Sequence, residues 1–264
     1  MALKLGLVGI GKIARDQHIP ALAADPHFDL VACASRHARV EGVANFADIE
    51  TLLAEVPHLD AISICTPPQA HFEAALAALR AGKHVMLEKP PAATTRQIAL
   101  LQSEAARHGR TIFQTWHSRF AGGVDASRDW LRGRTLTGGT ITWKEDVHHW
   151  HPGQQWIWEP GGLGVFDPGI NALSVLTEVL SEEAFVHTSV LEFPENQQAP
   201  IAARLALRTE APRHGERGIR LPPEGRADLG HRTCHNLRPP QALSRRWRAG
   251  DRRPSAGGRR GAGG

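Results

Sequence analysis

Gly9-Ile10-Gly11-Lys12-Ile13-Ala14 is a G-x-G-x-x-A sequence that directly follows the apolar run Leu3–Val8. In such a place the first glycine permits a tight turn and the second lets the backbone approach a pyrophosphate. The small third residue lets helix and strand pack closely. Free N–H groups at a helix start and the positive end of its dipole complete an anion site. Gly9, Gly11, Lys12 and Ile13 are therefore candidate dinucleotide-binding residues. The next apolar run, Leu30–Ala34, ends in Ser35-Arg36-His37-Ala38-Arg39 with no carboxylate. A carboxylate there would hold the ribose hydroxyls of NAD and repel a 2′-phosphate; a hydroxyl and a guanidinium attract one. Ser35 and Arg36 thus predict that NADP is preferred, with NAD also accepted. The competing reading makes Arg36 a solvated surface charge.

Two further groups sit where apolar runs end. Thr66-Pro67-Pro68-Gln69-Ala70-His71 follows Ala61–Cys65, and Glu88-Lys89-Pro90-Pro91 follows His84–Leu87. Open α/β sheets bind ligands at the carboxyl ends of their strands. Thr66, His71 and Glu88 are therefore candidate cofactor contacts. Lys89 is a candidate catalytic group, able to stabilise a developing alkoxide or relay a proton. Asp167 and Asn171 lie four residues apart at a predicted helix start and so share one face. A carboxylate beside an amide can hold a hydroxyl and accept its proton. Competing readings make Asp167 a helix cap, Lys89 a surface lysine paired with Glu88, and His71 structural. His148, His149 and His151 raise the question of a metal. On a strand, His149 and His151 would share one face and His148 the other. No matching cysteine or carboxylate set accompanies them, so no metal site is expected.

The elements that must position these groups follow from periodicity. Residues 1–120 alternate strand-like and helix-like runs, the pattern of a parallel α/β sheet. Helices are predicted from Lys12 to Ala24, from Asp48 through Leu53, from Pro68 to Ala81, and from Thr94 or Thr95 to His108. Thr111–Thr115 is a further strand. From about Ala121 the texture changes. A helix over Val124–Leu131 and a long strand over Gly139–Val147 precede a loop dense in His and Trp, His148–Trp158. The turn Gly161–Gly164 and a helix from Asp167 to Leu180 come next, then strands Phe185–Phe193 and Ala202–Thr209. Residues 121–209 read as part of an α+β domain.

The chain has 264 residues, enough for two modest domains. It contains no tyrosine, which excludes dehydrogenases that move their proton through a Tyr-x-x-x-Lys pair. Its 3 cysteines, Cys33, Cys65 and Cys234, form no C-x-x-C pair. A disulfide scaffold, a structural zinc and a four-cysteine zinc lobe are therefore not expected, and a reducing cytoplasm is. No apolar run reaches the ~18 residues of a membrane span, and the first residues lack the marks of a signal peptide. The net charge of +4 hides an asymmetry. Residues 210–264 hold 13 Arg, no Lys and 5 acidic groups, whereas residues 1–209 hold 18 basic and 22 acidic ones. With 10 Gly and 6 Pro and little apolar periodicity, 210–264 predicts a disordered tail. Its composition fits either a natural basic tail or, the favoured reading, out-of-frame translation of a GC-rich gene. Specific nucleic-acid binding is not expected of it.

Taken together, these motifs resemble the glucose–fructose oxidoreductase/inositol dehydrogenase/MocA (Gfo/Idh/MocA) family. The resemblance spans about residues 3–209. The glycine loop, Thr66…His71 and Ala81-Gly82-Lys83-His84-Val85-Met86-Leu87-Glu88-Lys89-Pro90 carry it. Ser35-Arg36, Trp116-His117-Ser118-Arg119, the stretch Glu145 to His151 and Asp167-Pro168-Gly169-Ile170-Asn171 are most similar to its aldose 1-dehydrogenase branch. Many members have Asp-x-x-x-His at the last of these; here the final residue is Asn171. The resemblance implies an α/β fold: an N-terminal Rossmann dinucleotide-binding domain plus a truncated α+β substrate domain with a mixed or antiparallel sheet. It implies NAD(P)-dependent oxidation of an aldose of D-galactose or L-arabinose type to the aldonolactone. The sugar would lie between the nicotinamide and the second domain's sheet, and that sheet would also pair subunits. Lys89 and Asp167 would be catalytic, with Asn171, Glu145, His151 and His117 binding the sugar. Trp150, Trp156 and Trp158 would wall it. An inositol or polyol dehydrogenase, a non-catalytic regulator that binds cofactor or sugar, and an inactive truncated product are the alternatives.

Overall fold

The computed structural model describes residues 2–209 and, as backbone, 227–231. Its first sheet contains β1 (Leu3–Val8), β2 (Phe28–Ala34), β3 (Ala44–Phe46), β4 (Ala61–Ile64), β5 (His84–Leu87) and β6 (Ile112–Gln114). All pair in parallel, in the order β3-β2-β1-β4-β5-β6. The order reverses between β1 and β4, so the two strand ends carrying Gly9 and Thr66 flank the switch point, where such sheets bind ligands.

Helices α1 (Ile19–Ala24), α2 (Ile49–Glu55), α3 (His71–Arg80) and α4 (Thr95–Arg107) cover this sheet. Their ends have local causes. The Asp48 carboxylate accepts from Thr51 N at 2.8 Å, and the Thr94 hydroxyl accepts from Gln97 N at 3.2 Å. The apolar faces meet in one cluster that includes Ile62, Ile64, Val85, Leu87, Leu79 and Leu101. A second cluster, with Leu5, Leu7, Ile10 and Ala14, packs against α1 through Leu22.

The first helix departs from the uninterrupted α-helix expected over Lys12–Ala24. Ala14–His18 form a π-turn before α1 begins. Pro20 is the reason: it has no N–H to give and its ring collides with the carbonyl four residues back, so an α ladder cannot run through it. The wider turn brings His18 into the interior. β3 was not anticipated at all, since three residues are too few to show a period.

The second compact unit contains α5 (Val124–Leu131), β7 (Thr142–Glu145), α6 (Val147–Trp150), α7 (Phe166–Val179), β8 (Ala184–Glu192), β9 (Ala202–Thr209) and β10 (Ala227–His231). Its sheet runs β7-β10-β9-β8. β10 is parallel to β7 and antiparallel to β9, and β8 is antiparallel to β9, so the sheet is mixed. Val165 and Ala172 from the α7 region pack on Ala203, Leu205 and Leu207 of β9. Arg119 and Arg128 both bind the Glu178 carboxylate, which joins α5 to α7.

Several sequence expectations need correction. β7 ends at Glu145 rather than Val147, because the Asp146 carboxylate accepts from His148 N at 2.9 Å and starts α6. His148 and His149 therefore lie on a helix, in a stretch expected to be loop. Within the predicted disordered tail, Ala227–His231 form β10; the open backbone edges of β7 and β9 recruit it, a factor composition does not register. The remainder of 210–264 lies outside the described residues. The first unit ends at His117 rather than 120 and takes in Gln154–Gly164 and Asn196–Ala199. Gln198 N donates to Trp158 O at 3.0 Å, tying those two segments together.

Candidate active site

The glycine loop has the shape its sequence requires. Gly9 has φ of +88°, and a Cβ there would stand 2.7 Å from Thr66 N and 2.8 Å from Cys65 C. No side chain fits between β1 and the end of β4. A Cβ on Gly11 would meet nothing within 4 Å, so the backbone at Gly11 is open to approach. Ala14 is fully buried where the first helix meets the sheet. A tight first glycine, an open second one and a buried small residue fit a dinucleotide pyrophosphate, which the N–H groups of this loop would hold. The Lys12 ammonium pairs with Asp16 on the same helix.

At the end of β2, Ser35 N donates to Phe46 O at 2.9 Å, and Arg36 is exposed. The loop that carries them is folded by Asn45, which accepts from Val40 N at 2.9 Å and donates to Val40 O and Val43 O at 2.8 and 2.7 Å. The Thr66 hydroxyl is buried and has no hydrogen-bond partner among the described residues. The neighbouring Cys65 thiol is pushed up to about 12 by burial, with the charge of Glu88 adding to it, so it stays protonated.

Two expected cofactor contacts turn inward instead. His71 is 0% exposed, with Nδ1 at 2.7 Å from Pro90 O and Nε2 at 2.7 Å from Thr66 O. Both ring nitrogens are committed, and the ring clamps the Thr66 loop to the Lys89-Pro90 loop. A neutral imidazole has a single N–H, so both contacts become hydrogen bonds only when the ring is protonated. Burial nevertheless holds its pKa below the ordinary histidine value, against the pull of the two carbonyls and Glu88. The Glu88 carboxylate is also buried. It accepts from His18 Nε2 at 2.8 Å and from Lys89 N at 3.2 Å. Burial pushes this carboxyl up, but His18, Thr115 and the Lys89 N–H outweigh it and bring the net value below the ordinary one. Glu88 thus pairs with a buried histidine. Lys89 itself is half-buried.

In the second unit, Asp167 and Asn171 occupy the first turns of α7, only 7% and 8% exposed. Asp167 does not cap the helix, since the N-cap is Val165. Its carboxylate accepts from His151 Nε2 at 2.8 Å. Glu145, at the end of β7, accepts from Trp143 Nε1 at 2.6 Å. His117 is exposed. The structure therefore joins Asp167 to His151, with Asn171 one turn further along α7. Among the described residues, no three His, Cys, Asp or Glu side chains are gathered as a metal site. No helix among them is long and apolar enough to cross a membrane.

Four residues that hydrogen-bond among the candidate groups escaped the sequence reading: His18 to Glu88, Ser63 to His18 at 3.2 Å, Asn45 within the Arg36 loop, and Trp143 to Glu145. For His18 a signal was present, because Pro20 inside a predicted helix announces a break. The other three carry no local signature.

Known proteins share both the pattern and the fold. The oxidoreductase family with an NAD-binding Rossmann fold, Gfo/Idh/MocA, matches residues 3–115. Galactose 1-dehydrogenase of Pseudomonas fluorescens is 50% identical over 206 residues, covering 78% of this chain and 66% of that protein. D-glucoside 3-dehydrogenase of Escherichia coli is 33% identical over 127 residues, 45% of this chain and 36% of its own. The chain thus spans two thirds or less of these curated relatives. The crystal structure of D-galactose-1-dehydrogenase from Rhizobium etli superposes with a TM-score of 0.77 at 48% identity, covering 88% of this chain and 72% of the other. A 3-ketoreductase from Actinomadura kijaniata shares the fold at 21% identity, with a TM-score of 0.74 over 88% of this chain and 70% of its own. With the glycine loop, the 3-2-1-4-5-6 parallel sheet and the Glu88-Lys89-Pro90 turn, these matches make the chain a member of the Gfo/Idh/MocA oxidoreductase family.

Proposed function

We propose that this chain oxidises an aldose of the D-galactose or L-arabinose type at its anomeric carbon, giving the aldonolactone. One observation carries the reading: a buried carboxylate, Asp167, hydrogen-bonded to His151 at 2.8 Å with the Asn171 amide one turn on. The identity to galactose 1-dehydrogenases supports the choice of sugar. NAD(P), held at the glycine loop, would supply the hydride acceptor. The C1–H bond breaks with its electron pair leaving as hydride, the C1–O bond becomes a carbonyl, and the hydroxyl proton goes to the protein. The Asp167–His151 pair takes that proton. The imidazole can share it with the carboxylate, so neither group holds the full charge change. The Asn171 amide orients the hydroxyl. Lys89 is the second residue assigned to catalysis in this proposal. Glu145, held by Trp143 Nε1 at 2.6 Å, and His117 are the further candidates for sugar hydroxyls, whose hydrogen bonds separate epimers.

NADP is the preferred cofactor in this proposal. Exposed Arg36, on a loop folded by Asn45, offers the 2′-phosphate a cation, and no carboxylate opposes it. The free buried thiols of Cys33 and Cys65 suit a reducing cytoplasm. Edge strand β8 exposes Phe185, Val186, Val190 and Leu191, which suits pairing of two copies through the second sheet.

The test follows reduced-cofactor formation with D-galactose and L-arabinose, each with NADP and NAD, beside Lys89→Ala. Turnover that favours NADP and falls about 100-fold or more in Lys89→Ala is expected. A folded, NADP-binding chain that turns over neither sugar would overturn the proposal.

A further inference from the structure

Beneath the Lys89 loop lies a buried polar chain that the proposed chemistry does not use directly. Ser63, in the middle of β4, places its Oγ 3.2 Å from His18 Nδ1. His18 Nε2 donates to Glu88 Oε1 at 2.8 Å. Glu88 Oε2 accepts from the backbone N–H of Lys89 at 3.2 Å, and Glu88 N donates to Ile64 O at 3.0 Å. His18 and Glu88 are 7% and 10% exposed at their side chains. One ring thus joins three elements: the π-turn that continues from the glycine loop, the core strand β4, and the loop at the end of β5.

Burying an imidazole and a carboxylate is costly unless both are fully paired, and here they are. A simple apolar contact would fill the same space more cheaply. What the polar chain adds is direction. It fixes a carboxylate oxygen against one particular N–H, that of Lys89, from a residue whose own position is set by the turn after Gly9–Ala14. A straight α-helix would place this residue elsewhere on the wheel, so the π-turn forced by Pro20 is what turns the ring inward. We infer that His18 is a positioning residue for Lys89: acting through Glu88, it ties the lysine loop to the glycine loop and sets the place of the amine relative to bound dinucleotide. The inference rests on the reading of Lys89 as part of the reacting centre.

The test uses the full chain, as wild type, His18→Ala, His18→Gln and Leu22→Ala. Leu22 packs the same helix onto the apolar cluster without touching the polar chain, and so serves as the destabilised control. Amide hydrogen exchange is read at Lys89 and across residues 12–24, alongside kcat and KM for D-galactose with NADP. In His18→Ala, exchange at Lys89 is expected to rise on the order of tenfold. The value of kcat is expected to fall about 100-fold with KM changed less than about threefold, the mark of misplacement and not of lost binding. His18→Gln, which keeps a donor toward Glu88, restores both to within about threefold. Leu22→Ala speeds exchange in residues 12–24 but leaves Lys89 unchanged. Should His18→Ala not fold, Ser63→Ala removes only the outer contact, and Lys89 exchange is then expected to rise about threefold. Unchanged Lys89 exchange in the variants that fold, a glutamine no better than alanine, or the same changes in Leu22→Ala would overturn the inference. If wild type turns over no aldose, the dehydrogenase proposal fails, and the exchange comparison still decides whether His18 holds Lys89.

Discussion

Asp167 and Glu88 are both buried carboxylates held by a histidine, yet they are assigned different work. Asp167 pairs with His151 and is proposed to exchange a proton; Asp167→Asn is expected to lower kcat by about 100-fold or more while the melting temperature changes little. Glu88 is a fixed anion. Its folded pKa lies below the ordinary value, so it contributes stability at pH above the unfolded value near 4.5, and that contribution is lost as pH falls through the folded value. Glu88→Gln should therefore cost about 2 kcal/mol at neutral pH, and the gap from wild type should close below the carboxylate range. Denaturant melts at a series of pH values would show this; a gap that widens in acid would contradict it. The candidate residues themselves were legible one by one, because carboxylate, amide and amine each declare a chemistry. Their pairings were not. His151 meets Asp167 across 16 residues, through a loop whose course is set by the Asp146 cap, and no period in the sequence encodes that meeting.

At the scale of elements, the parallel sheet was legible because each βα unit is written in local apolar runs, caps and glycines. Ala44–Phe46 was too short to read, and Pro20 converted an expected helix into a π-turn plus α1. The glycine loop yields a contrast between two similar changes. Gly9→Ala forces a positive φ and a Cβ against the β4 backbone, and should destabilise the fold by about 2 kcal/mol or more. Gly11→Ala meets no neighbour, so the melting temperature should hold while NADP binding weakens about tenfold or more. Thermal melts with and without NADP distinguish the two. Equal loss of stability in both variants would show that Gly11 has a structural role and is not a space kept for the cofactor.

For the whole molecule, composition located the change of texture near residue 120 and the basic segment after 209, but it took Ala227–His231 for disorder where the open edges of β7 and β9 take up a strand. The exposed apolar side chains of β8 lead to a prediction about association. The chain should self-associate, and Val186→Lys with Val190→Lys should shift it toward the monomer in light scattering. A wild-type chain that is monomeric at high concentration would contradict that pairing. The central claim, that this chain moves a hydride from the anomeric carbon of an aldose, is tested most directly with D-galactose deuterated at C1. The full chain is incubated with that sugar and NADP, and the reduced cofactor is analysed by mass spectrometry. One deuterium in the reduced nicotinamide, its yield falling with Asp167→Asn, is the predicted result. Reduced cofactor without deuterium, or none formed by a folded chain that binds NADP, would contradict it.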